Sequence, residues 1–468
     1  MSSPASTPTV PPQVPRRRPR SFGGPVVLII IGAVFLLRNF GYINSATMFH
    51  WFARYWPVLI IIWGLIKLLE YAQARNEGYP TRSGIGGGGV VLLVFLIIFG
   101  LAASEGERVN WNQVVGDMDI DDDAFSVFGT TYNYTADLEE TVPAGVTILR
   151  VVSDRGDVTL SQWDQPKMKI TVRKSVVASS ETYAKQYDQQ TQPQISTSGD
   201  TITINANTGG SGNHPIKSNF EIFVPRKLAV DLATKRGDLA VHQRQGDVKL
   251  NTMRGDVNVD DVTGNVSISA RHTDITVHRI TGDVSVDGRV NDSSISEVSG
   301  AVRLNGDFFG AMTLSKIGKG VSFKSSRTDL EFTRLDGEMT MQSGDLRADG
   351  AVGPLHVVTK AKDIHLENVS GDVRIEDSSA EVEIHATKTP LGSIQVDNRR
   401  GRVALTVPAK AAFQFDARAT RGDVQSDFDA IKVENNHNEA HGSGAVGGGG
   451  PSVRLNTDHA DIEIRKAS

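Results

Sequence analysis

The chain has 468 residues, with 49 Lys and Arg against 54 Asp and Glu, 46 glycines, 18 prolines and no cysteine. Without cysteine there is no disulfide framework, thiolate zinc site, iron–sulfur cluster or cysteine nucleophile. The net charge of -5 hides a division: residues 1–103 carry nine basic and two acidic side chains, leaving 40 and 52 for residues 104–468. That larger, acidic part would repel phosphates rather than neutralise them, which sets DNA and RNA aside as partners.

Residues 1–25 hold seven of the 18 prolines and a basic cluster, Arg16, Arg17, Arg18 and Arg20. They bury almost nothing, and residues 1–24 are expected to be a disordered tail. Three apolar runs follow: Pro25 to Leu37, Tyr55 to Leu69, and Ile85 to Ala103. A bilayer core needs about 20 apolar residues. The third run meets this comfortably, and the shorter first two fit a tilted or re-entrant pair. Residues 25–103 are therefore expected to be a helical transmembrane region of two or three helices in contact with the lipid bilayer. Basic residues in the tail and in the second loop (Lys67, Arg75, Arg82) favour a cytoplasmic N-terminus, which puts residue 104 onward outside the cytoplasm. Gly84-Ile85-Gly86-Gly87-Gly88-Gly89 matches GxGxxG in form, but no strand precedes it. It reads as the glycine-rich entry to a membrane helix rather than a dinucleotide site.

From Lys235 the chain repeats a short unit: RGDLAVHQR, QGDVKLNTM, RGDVNVDDV, TGNVSISAR, HTDITVHRI, TGDVSVDGR. Counted from the glycine, apolar residues fall at +2, +4 and often +7, as in Val257, Val259 and Val262, or Ile275, Val277 and Ile280. Alternation of this kind is a half-buried strand, and corners about every nine residues leave no room for helices. Alternate corners carry an apolar residue: Val262, Ile280, Val298, Ile317, Leu335, Val352 and Val369, spaced 17 to 19 residues apart. One coil is thus about 18 residues with two strands. Stacking such coils at ~4.8 Å predicts an all-β parallel β-solenoid, with a repeat body over 235–405. Glycine permits the bend, and the Asp beside it is expected to bond backbone N–H groups two residues on.

Residues 104–234 read as a linker and N-terminal β cap, with a helix over Ser180 to Gln190 and strands over Thr201 to Ala206 and Phe220 to Pro225. Residues 406–468 read as a C-terminal β cap, with a flexible loop over Gly442 to Gly450. Caps are expected because an uncapped solenoid exposes strand edges that template association.

The segments GPVVLIIIGAVFLLRNFGYI and WPVLIIIWGLIKLLE resemble the LiaI/LiaF-like transmembrane region of bacterial envelope stress-response proteins. The stretch from about Ala144 to Lys466 resembles the bacterial "putative adhesin" β-solenoid family, through FEIFVPRKLAVDLATKRGDLAV (Phe220 to Val241), the Gly-Asp-Val units and LNTDHADIEI. That resemblance implies an envelope-associated role and supplies no catalytic residues.

Four Arg-Gly-Asp triplets, at 155–157, 236–238, 254–256 and 421–423, invite an adhesive reading, yet the corner already requires Gly-Asp. Gly116 to Asp123 presents five carboxylates but lacks the glycine and bidentate Glu of a calcium loop, so it reads as a solvated stalk. His356, His365 and His385 read as separate surface residues. Tight, uniform coils leave an enzyme only the 175–220 and 428–452 insertions to build a pocket, and no nucleophile–base pair is legible there. The sequence thus predicts no enzyme, no catalytic, cofactor-binding or metal residues and no cofactor. The expected role is a membrane-anchored, extracytoplasmic, non-catalytic binding, adhesion or scaffold protein of the bacterial envelope, with a glycan or protein partner. An envelope-stress sensor and a self-polymerising solenoid are the alternatives.

Overall fold

A computed structural model describes residues 130–211, 216–436 and 438–467, together with Tyr55, Val58 and Ile61. Among the described residues no helix is long and apolar enough to cross a membrane. The expected transmembrane region (apart from those three residues) and the 116–123 carboxylates lie outside the described residues. The chain divides into two compact units. One comprises residues 132–176, 185–212 and 216–468; the other comprises 1–131, 177–184 and 213–215. In the second, Tyr55, Val58 and Ile61 are helical and exposed. The first contains the whole of the repeat.

Thirty-two strands and one α-helix, Glu181–Gln190, are described. The expected coil is present over the first part of the repeat. Val230, Val248, Val266, Val284, Val302 and Val321 pair in succession on parallel strands. Leu239, Val257 and Ile275 do the same on the facing strands. All nine side chains are buried, so the core is a set of vertical columns, one apolar residue per coil. Each contributes about 1.5–3 kcal/mol of burial.

The +2, +4, +7 pattern has a backbone cause. Gln243, Asp261, Arg279, Glu297 and Lys316 all have positive φ, between 53° and 59°, and stack at one corner. A left-handed residue breaks the two-residue alternation, so Val259 and Val262 both face inward although three positions separate them. At the other corner, Gly255 (φ +122°) sits on Gly237 (φ +132°), and any Cβ on Gly255 would overlap the Gly237 carbonyl oxygen. Only glycine suits both the angle and that approach.

The stack is not parallel throughout, which corrects the expected fold class. After Val321–Lys324 the chain turns at 325–327 and returns as Thr328–Phe332, antiparallel, pairing Phe323 with Leu330. It continues in the reversed sense as Arg334–Met341 against Met312–Ile317, pairing Ile317 with Leu335. A second turn at 342–344 restores the original direction in Asp345–Asp349. Parallel stacking then resumes through Leu346, Ile364, Val382, Val403 and Ile462. Lys362 braces the second turn: its Nζ donates to the carbonyls of Gln342 and Ser343, and burial lowers its pKa.

The caps add antiparallel pairs to their parallel ones. Lys167–Ala178 pairs with Ile216–Pro225, and Gln194–Ser198 with Thr201–Asn205. At the far end, Phe413–Thr420 pairs with Glu439–Val446, which carries Lys432–Asn435 on its other side. Most of the expected flexible loop at 442–450 is therefore strand. A Cβ on Gly444 would strike the Ala430 backbone, and one on Gly442 would lie 2.9 Å from the Val424 side chain. These glycines serve close packing, not mobility.

Candidate functional site

Among the described residues, the functional surface is built at the corners and on the outer strand faces. Three of the four Arg-Gly-Asp triplets stack directly on one another. Arg155 pairs with Arg236, and the Gly237 N–H donates to the Arg254 carbonyl one coil further on. Their carboxylates do not bond two residues ahead as expected; each reaches the next coil. The Asp157 Oδ1 accepts the Asp238 N–H at 3.2 Å, and the Asp238 Oδ1 accepts the Asp256 N–H at 2.8 Å. Asp274 and Asp292 extend the same ladder, which ends on the Ala311 N–H. The opposite corner repeats the device through Asp247, Asn265 and Asp283. The fourth triplet lies at the C-terminal end, where the Asp423 N–H donates to Asp461.

This geometry sets the titration of the ladder. Burial, together with the charges of Asp238 and Asp274, raises the pKa of Asp256. The Ala301 N–H instead holds Asp283 below the usual carboxylate range. The ladder is thus a structural seam in which hydrogen bonds from the next coil offset repulsion between stacked carboxylates.

The histidines are less scattered than the sequence implied. His356 is exposed and apart, but His365 and His385 converge on Glu383. Its two oxygens lie 3.2 Å from His365 Nδ1 and 3.1 Å from His385 Nε2. Burial acts to raise the Glu383 pKa, and the two imidazoles together outweigh it, leaving the group below its ordinary value. The pairing follows from the 18-residue offset between His365 and Glu383 on adjacent coils. A fourth histidine, His278, lies between Asp260 at 3.1 Å and Glu297 at 3.4 Å. Among the described residues no group of three or more His, Asp or Glu could hold a metal ion.

Two buried cations are not foreseen by the repeat. Arg244 is 1% exposed and donates to the carbonyls of Val224, Pro225 and Leu228. Burial, with a smaller contribution from Arg226, lowers its pKa to about 10. A signal for it exists in the sequence: Arg244 occupies the corner column that Val262 and Ile280 fill in the next coils. Lys174 ties the helix end to the cap, with Nζ 2.6 Å from the Asp188 carboxylate and bonded to the Asp188 and Thr191 carbonyls.

The two insertions left open for a pocket fold as the cap strands and helix, and as the Lys432–Val446 hairpin. A cavity of about 370 Å³ at the N-terminal cap is lined by Val142, Val146, Thr147, Pro166, Pro225, Lys227 and Leu228. Lys227 is its one titratable side chain, so it holds no acid–base pair.

Coils of two strands with polar outer faces and bonded corners define a β-solenoid-like repeat protein. More specifically, the chain belongs to the Toastrack DUF4097 family, matched over residues 146–465. Residues 22–68 match the LiaI-LiaF-like transmembrane region. Two crystal structures are similar over 71% of this chain at 10% identity. One is a "putative cell adhesion protein" from Clostridium sporogenes ATCC 15579, with 100% of its length covered and a TM-score of 0.16. The other is a "putative adhesin" from Bacteroides fragilis NCTC 9343, with 97% covered and a TM-score of 0.17. No curated protein matches the chain.

Proposed function

We propose that the protein is a membrane-anchored, non-catalytic module of the bacterial envelope, whose coil stack stands outside the cytoplasm as a rigid binding or scaffold surface. The observation that carries this is the ladder construction. Hydrogen bonds between successive coils fix outward side chains at a regular spacing of ~4.8 Å, a surface suited to a repetitive glycan or an extended protein partner. The match over 22–68 supports the anchor, and the charge of the short flanks supports the sidedness. The absence of cysteine gives a clean test. An impermeant thiol reagent applied to intact cells, after outer-membrane permeabilisation if one exists, should label Gly210→Cys and spare Gly78→Cys. Labelling at 78 and protection at 210 would place the stack in the cytoplasm and sink the reading.

A second reading, an envelope-stress sensor, draws on the same match over residues 22–68. It predicts that exchanging these residues for an unrelated span keeps the protein in the membrane but abolishes a stress-reporter response. An unchanged response would exclude it.

A further inference from the structure

The two ends of the stack treat their edge strands differently. At the C-terminal end the edge strand Lys432–Asn435 has four residues, all exposed, two of them charged. The short neighbouring strand Val424–Ser426 is covered by a side chain: Asn435 accepts the Val424 N–H at 3.2 Å and donates to its carbonyl at 3.3 Å. Short length, charge and a side-chain clamp are means by which proteins blunt an edge against pairing. At the N-terminal end, among the described residues, one edge, Thr130–Thr141, carries Asp137, Glu139 and Glu140, whereas the other, Gln194–Ser198, QISTS, has no charge and no proline.

Its open side can be read from its partner. Thr201–Asn205 lies between Gln194–Ser198 and Ile148–Arg155. The Ile148 N–H donates to the Asp200 carbonyl and the Ala206 N–H to the Val152 carbonyl, so even-numbered residues of the middle strand face Ile148–Arg155. Odd-numbered residues 201, 203 and 205 face the edge strand and bond Ser198, Ser196 and Gln194. Ile195 and Thr197 are left with N–H and C=O directed outward, and neither has another backbone partner among the described residues.

We propose that this edge pairs with the same edge of a second copy of the chain, antiparallel about a two-fold axis at Ser196. The strand is self-complementary for that arrangement. Ile195 of one copy falls opposite Thr197 of the other, and each exchanges both backbone hydrogen bonds, four in all. Ser196 then faces Ser196. Asp200, the nearest charge after the strand, falls opposite Gln192, so no like charges meet. Ile195, half-buried against the core of its own copy, meets an uncharged threonine. A two-fold contact closes on itself, and the blunted C-terminal end offers no route to a filament.

The test uses the full-length chain in native membranes. Across the axis the two residues at 196 form a non-hydrogen-bonded pair with Cα atoms about 4.5 Å apart, within disulfide range. Under mild oxidation Ser196→Cys should shift to a covalent dimer of twice the chain mass, and Thr203→Cys, one strand inward, should stay monomeric. Adding Thr197→Pro removes two of the four hydrogen bonds per dimer and should cut the cross-linked fraction about tenfold or more. Proline is tolerated on an edge whose N–H faces solvent, so the melting temperature of that variant should match its parent. A monomeric Ser196→Cys protein with unchanged melting would overturn the inference. So would a dimer that survives Thr197→Pro, or a cross-link to a different polypeptide in place of the second copy.

Discussion

Val259→Asp is expected to unfold the middle of the stack, lowering stability by about 3–5 kcal/mol, whereas Asn258→Asp, one residue away, should change it by about 0.5 kcal/mol or less. Val259 is fully buried and pairs with Val241 below and Val277 above. A carboxylate there has no donor or cation within its column, and it sits between two apolar side chains that cannot move apart without breaking parallel pairing on both sides. Asn258 points outward between Ala240 and Thr276, where an added charge remains hydrated. Because coils contact only their neighbours, the damage should spread through lost stacking rather than stay at one residue. Denaturant midpoints of the two variants against the parent measure the difference. Equal shifts would mean that the assignment of inner and outer faces is wrong.

That assignment is legible in the sequence because burial follows a period of two and the coil a period of 18. Direction is not. The corner residues Ile317 and Leu335 keep the 18-residue spacing whether the intervening strand runs forward or back, since a coil reversed by two hairpins returns to the same corner. The spacing that reveals the coil therefore conceals its reversal. The Asp ladder departs from expectation for a similar reason. A turn carboxylate in an isolated loop bonds two residues on, but in a stack the N–H of the same position one coil later lies closer, as Asp238 and Asp256 show. The convergence of His365 and His385 on Glu383 needs the 18-residue offset of His365 from Glu383 and the two-residue, same-face spacing of His385, and that offset is not uniform along the stack: Asp377 pairs with Asn398, 21 residues on. Arg244 is readable as a misfit in an apolar column, but its carbonyl partners come from the cap, which has no repeat to index it.

The stacked triplets separate a structural role from an adhesive one, and substitution within a single triplet should show which holds. Gly255→Val is expected to destabilise the stack by about 3 kcal/mol or more, and Arg254→Ala by about 1 kcal/mol or less. Gly255 has φ +122°, which a β-branched residue adopts only under strain, and its Cβ would overlap the Gly237 carbonyl of the coil below. Relief would require separating two coils at a corner where the Asp238 carboxylate also holds the Asp256 N–H. The valine thus breaks geometry and hydrogen bonding together. Arg254 is half-exposed, and its side chain can be shortened without opening the column. If the triplet exists because the corner needs Gly-Asp, the arginine is dispensable, and Arg254→Ala should keep both the parent's melting temperature within a few degrees and its association with the envelope. If the triplet is a ligand motif, the arginine variant still stays folded but loses binding. Thermal melts and cell-fraction association measured on the same two proteins distinguish the cases, because a folding defect shifts the melt whereas a lost ligand contact leaves it unchanged.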